Sequence, residues 1–202
     1  MAGLLDSVMQ QLQSRGAIEQ IAGKLGVPPD KANSAISAGV PAILAGLAKN
    51  TEKPGGAAAL ASALDKDHDG SVLDDDAYFD SYQDKKGANI LGHVFGEKTA
   101  PVQSQVSALG GLDPSQGAEL LKMLAPLVMG YLGKEKSSGG LDIGNLANIL
   151  GGSGSGSGGG MQLPGGLGDI LGGLAGGAAG GGATPKTKGG LGGMLGKFFK
   201  KK

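Results

Sequence analysis

The sequence predicts an all-α protein: two related helical units joined by an acidic loop and followed by a disordered, glycine-rich tail. Three observations predict it. Apolar residues recur at helical spacing through most of the first 138 positions. Glycines and prolines punctuate that pattern where helices would stop and start. The whole arrangement then returns about 85 residues later.

In the first unit, about residues 2–50, Leu4, Leu5, Val8 and Leu12 form one helical face, and Gly16 ends it. Ile18, Ile21 and Leu25 form a second short face, closed by Gly26. Pro28-Pro29-Asp30 opens a third helix through Ala32, Ile36, Val40, Ile43 and Leu47. Proline suits a first helical turn because the N–H it lacks would have no partner there. Pro41 lies inside this helix and predicts a kink. Residues 32–48 form the longest uncharged run of the first 138 positions, but Asn33, Ser34, Ser37, Gly39, Pro41 and Gly46 interrupt it. It reads as a buried helix rather than a membrane span.

In the second unit, about residues 88–136, Gly111-Leu112-Asp113-Pro114 aligns with Gly26-Val27-Pro28-Pro29 at an offset of 85. Pro126 falls on Pro41, Leu132 on Leu47 and Lys134 on Lys49. Ile90-Leu91-Gly92-His93-Val94 resembles Leu4-Leu5-Asp6-Ser7-Val8 at an offset of 86. Any two amphipathic helices look alike, yet matched mid-helix prolines behind matched glycine turns are costly to place by chance. An internal duplication, with the two long helices packed together, is the expectation.

Composition limits the function. Of 42 glycines in 202 residues, 25 lie from Gly139 onward, which leaves residues 1–138 to build one core. With no Trp, four Phe and three Tyr, that core must come from Leu, Ile, Val, Ala and Met. The zero net charge divides into −4 before residue 139 (12 basic, 16 acidic) and +4 after it (six Lys, two Asp). Neither half has the basic surplus of a nucleic-acid binder. The absence of cysteine excludes disulfides, thiolate metal sites and cysteine nucleophiles. Residues 1–14 carry Asp6 and no early basic cluster, so they do not read as a signal peptide, and the expectation is a cytoplasmic protein.

The strongest chemical signal is residues 65–76, Asp-Lys-Asp-His-Asp-Gly-Ser-Val-Leu-Asp-Asp-Asp. Carboxylates stand at loop positions 1, 3, 5 and 12, glycine at 6 and an aliphatic residue at 8, the spacing of an EF-hand calcium loop. Ca²⁺ takes six to eight oxygens at flexible distances. Asp65, Asp67 and Asp69 would supply side chains, Ser71 its carbonyl and Asp76 the closing carboxylate. Gly70 would permit the turn, and Val72 would form the short extended contact after it. Leu73 leaves position 9 to water, and Asp76 is one methylene shorter than the usual glutamate. Weaker Ca²⁺ binding, or tolerance of Mg²⁺, follows from that. The same carboxylates could instead cap backbone N–H groups in a solvated turn. His68, at position 4, is expected in solvent and His93 packed on an apolar helix. An exit helix carrying Tyr78, Phe79 and Tyr82 is expected after the loop.

Residues 139–202 are of linker composition, punctuated by three Leu-x-x-(Ile/Met)-Leu-Gly clusters at 146–151, 167–172 and 191–196. Ala147-Asn148-Ile149-Leu150-Gly151 repeats Ala88-Asn89-Ile90-Leu91-Gly92 residue for residue. The tail could thus take the place of the Ile90-Leu91 helix, within one molecule or in a homo-oligomer. The end of the chain adds a second candidate surface. Leu191, Met194, Leu195, Phe198 and Phe199 together with Lys200 could mediate self-association or rest weakly on an anionic membrane. No Gly-x-Ser-x-Gly, His-Glu-x-x-His or phosphate-loop pattern occurs, so no enzyme activity is expected.

The two-unit pattern, the acidic loop and the string Gly87-Ala88-Asn89-Ile90-Leu91-Gly92-His93-Val94-Phe95-Gly96 resemble a bacterial family catalogued as domain of unknown function 937. A more distant similarity is to YidB-like proteins. The resemblance covers about residues 2–135 and implies an all-helical bacterial protein with no assigned activity and no catalytic residues. The protein partner is not legible in the sequence.

Overall fold

A computed structural model describes residues 4–14, 16–68, 70–75, 78–79, 82 and 84–145. Among them are seven α-helices: α1 (Leu4–Ser14), α2 (Ala17–Leu25), α3 (Pro29–Thr51), α4 (Gly56–Asp67), α5 (Asp84–Phe95), α6 (Thr99–Gly110) and α7 (Pro114–Ser137). Short 3-10 turns cover Ser71–Leu73, Gly96–Lys98 and Ile143–Asn145, and no described residue is in a strand.

The helix boundaries follow the glycines and prolines. Gly26 and Gly111 adopt φ of 65° and 63°, the left-handed conformation that lets a helix end without a Cβ penalty. Beside them, the Val27 N–H donates to the Ala22 carbonyl at 3.0 Å and the Leu112 N–H to that of Ser107 at 2.8 Å. These are equivalent bonds 85 residues apart, and three residues after each glycine a long helix starts at a proline, Pro29 or Pro114. α7 adds a capping box: the Asp113 side chain accepts from the helix backbone, and the Asp113 N–H donates to Gln116 Oε1 at 3.0 Å. Gln116 Nε2 also donates to the Leu25 carbonyl at 3.1 Å, which ties the start of α7 to the end of α2.

α3 and α7 pack against each other and form the centre of the domain. Ile36, Val40, Ile43 and Leu44 of α3 and Leu120, Leu121, Leu124, Val128 and Leu132 of α7 are all buried. Gly39 allows their close approach, since a Cβ there would lie 3.0 Å from Leu124 Cδ1 and 3.2 Å from Leu121 Cδ2. The shorter helices cover this pair with Val8, Leu12, Ile21, Leu64, Leu91 and Val106. The expected aliphatic core is therefore present.

Both expected mid-helix prolines, Pro41 and Pro126, lie inside their helices. Pro126 cannot donate to the carbonyl four residues back, that of Lys122. α5 lies directly on that carbonyl: a Cβ on Gly87 would be 2.1 Å from the Lys122 oxygen. The Tyr78 hydroxyl donates to the adjacent Met123 carbonyl at 2.9 Å.

Two local expectations need correction, the exit helix and the placement of the two histidines. Packing continues past Ser138: Leu141 and Ile143 are buried, and the turn Ile143–Asn145 packs on α4. Tyr78 and Phe79 form a turn and Tyr82 is irregular, so the described helix after the loop starts only at Asp84. Tyr78 instead packs edge-on against Phe79 and Tyr82, with centroids at 5.0 and 6.2 Å. The two histidines exchange roles: His68 is buried, at 8 % exposure, and His93 is exposed. Residues 146–202, with the Leu191, Met194, Leu195, Phe198, Phe199 and Lys200 surface, lie outside the described residues.

Candidate cation loop and the adjoining groove

The loop is held in place by α7. Gly70 adopts φ of 99° and sits on Gly130 and Lys134, where a Cβ would come within 3.0 Å of Lys134 Cβ. Only glycine reaches this backbone conformation without strain. Val72 packs on Gly130, and Leu73 is buried in the core. Contrary to expectation, Val72 is not extended. Ser71–Leu73 curl into a 3-10 turn, in which the Leu73 N–H donates to Gly70 and the Asp74 N–H to the Ser71 carbonyl.

The structure separates the first two candidate ligands. α4 runs through Asp67, so Asp65 and Asp67 both have helical geometry. Residues two apart on an α-helix point about 200° away from each other. Asp65 accordingly meets Lys136 of α7, with Oδ1 and Nζ 2.5 Å apart, while Asp67 faces a groove on the other flank. Asp65 and Lys136 are both open to water, with side chains 59 % and 25 % exposed. Such a pair contributes about 1 kcal/mol or less. Ser71 is exposed at the start of its turn. Asp69 and Asp76 lie outside the described residues. Among the described residues, no three His, Asp or Glu side chains are grouped to hold a metal ion. As placed, then, Asp65 and Asp67 do not share a coordination shell.

The sequence contained no sign of Lys136 as the partner of Asp65, since 71 residues separate them. The glycine at loop position 6 was its only legible geometric element.

The groove beside the loop has a volume of about 610 Å³ and runs between α4 and α5. Leu47, Leu60, Ile90, Val94 and Met129 form its apolar floor, and Ala59 and Ala63 one wall. Asn50, Lys53, Asp67, His68 and His93 supply its polar margin. Asn50 also caps α5, its Nδ2 donating to the His93 and Val94 carbonyls at 3.1 and 3.0 Å. A second cleft of about 360 Å³ lies under the loop, between Ser71, Asp75, Tyr78, Tyr82, Lys86 and Pro126. Burial raises the pKa of Tyr78 well above the tyrosine range. Burial, followed by the Asp84 carboxylate, does the same to Tyr82. Both phenols therefore stay neutral, as donors rather than bases.

Among the described residues, no helix is long and apolar enough to cross a membrane. A family model described as a bacterial protein of unknown function (DUF937) matches residues 6–135. No curated protein and no solved structure matches the chain.

Proposed function

The chain belongs to this bacterial family of unknown function, and from that premise we propose that it is a non-enzymatic helical protein whose α4–α5 connection takes up a divalent cation, Ca²⁺ with Mg²⁺ as a competitor. The observation that carries the reading is Gly70. The sixth position of the twelve-residue spacing adopts the left-handed conformation such a loop requires, and it does so against a fixed surface of α7. Gathering the remaining ligands requires Lys136 to release Asp65 and the last turn of α4 to open, so that Asp65 and Asp67 point the same way. Both steps oppose binding, as does the short Asp76, and a weak site is the consequence. The role is structural, bracing the connection between the two units.

Calorimetric titration of Ca²⁺ and Mg²⁺ into the full chain tests this, alongside Asp65→Ala, Asp69→Ala and Lys136→Met. One saturable site is expected in the native chain and none in the aspartate variants. Lys136→Met should bind about two- to fivefold more tightly, the weight of an exposed ion pair. Neither heat nor thermal shift at millimolar ion would reduce the segment to a solvated turn.

A further inference from the structure

The groove between α4 and α5 is apolar, open and bordered by polar groups, and the chain carries an aliphatic cluster that can reach it. We propose that this groove is the docking site of the chain's own segment 167–171, with Leu167, Ile170 and Leu171 facing its floor.

The alternative that the tail replaces α5 is closed by one residue. Each of the three clusters aligns with Gly87-Ala88-Asn89-Ile90-Leu91-Gly92, and each has leucine at the Gly87 position: Leu146, Leu167 and Leu191. At Gly87 even a Cβ would stand 2.1 Å from the Lys122 oxygen and 2.7 Å from its carbonyl carbon. These are backbone atoms of α7 and cannot turn aside. A leucine there would force α5 off α7, so the clusters must bind beside α5.

Tether length selects among the three. The last described turn, Ile143–Asn145, packs on α4, which forms one wall of the groove. Leu146 follows it directly, with no tether to carry that cluster across α4. Residues 146–166 give the second cluster a 21-residue tether. A Gly/Ser-rich chain of that length has a root-mean-square span of about 25 Å. This suffices beside a domain of about 14 Å radius of gyration. The third cluster has 45 residues of tether (146–190), which lowers its effective concentration roughly threefold relative to the second. On a helix Leu167, Ile170 and Leu171 share one face, and Asp169 falls on the opposite side, away from the floor.

The chain has no cysteine, so paired cysteines report the contact directly. Ala59→Cys on the exposed groove wall is combined with Gly159→Cys, Gly172→Cys or Gly193→Cys in the full chain, and disulfide formation is timed under mild oxidation. Lys53→Cys serves as a second anchor, should Ala59→Cys perturb α4. Docking predicts that Gly172→Cys closes within the monomer at least fivefold faster than the other two. Ile170→Asp should remove that advantage. Rates that simply decline with distance along the chain and ignore Ile170→Asp would overturn the proposal. So would fastest closure at Gly193→Cys, or covalent dimers as the main product.

Discussion

Two glycines on one helix make opposite predictions. Gly87 and Gly92 both lie in α5, where replacing glycine by alanine ordinarily gains up to about 1 kcal/mol from backbone entropy. A Cβ on Gly92 meets nothing within 4 Å, so Gly92→Ala should stabilise the fold by about 0.5–1 kcal/mol. A Cβ on Gly87 meets the Lys122 backbone instead, and two packed helices must part to admit it. Overpacking costs about 1–3 kcal/mol and more where backbone is the obstacle, so Gly87→Ala should be a net loss of about 2 kcal/mol. Urea unfolding of both variants checks the pair; equal effects would contradict the close approach of α5 to the Lys122 backbone of α7. Tyr78 belongs to the same place. Its hydroxyl reaches the Met123 carbonyl, and Tyr78→Phe should cost about 1 kcal/mol in the same assay.

At the scale of elements, α7 depends on its first turn. Gln116 accepts from the Asp113 N–H and donates to the Leu25 carbonyl, so one side chain caps α7 and fastens it to α2. Gln116→Ala removes both bonds and should lower stability by about 1–2 kcal/mol in thermal unfolding. Gln116→Glu keeps the cap acceptor but loses the donor to Leu25, so it should recover only part of that loss. Such starts and stops were legible in the sequence because they are local. Gly26, Gly111, Pro29 and Pro114 act through their own backbone, and each stands where the helices end and begin. The acidic segment was less legible because its shape is set from outside. α4 continues through Asp67 with Asp65 paired to Lys136, and Gly70, Val72 and Leu73 settle on α7. Tyr78 turns the chain toward Met123 where helical spacing alone favoured a helix. His68 is buried as well, at the end of α4 beside the groove.

For the molecule as a whole, the three tyrosines supply a built-in probe of cooperativity. They are the only tyrosines of the chain, and there is no tryptophan to obscure them. Tyr78 lies in the connection after the acidic loop, Tyr82 just before α5, and Tyr131 in the central helix α7. Burial raises the pKa of all three; at Tyr82 the Asp84 carboxylate adds to it, and at Tyr131 a hydrogen bond with Ser7 acts in the opposite sense. An unfolded tyrosine ionises near pH 10. The folded state therefore holds its protons where the unfolded chain has released them. The resulting stabilisation is complete below about pH 10 and is lost as the pH climbs toward the raised folded values. Phenolate absorbance should stay low past pH 10 and then rise together with loss of the helical circular dichroism, as one transition. Phenolate appearing near pH 10 with the helices intact would mean that the connection carrying Tyr78 opens apart from the core. It would also show that α4–α5 is a separately hinged element, not a strap fastened on α7 at Gly130 and Met123.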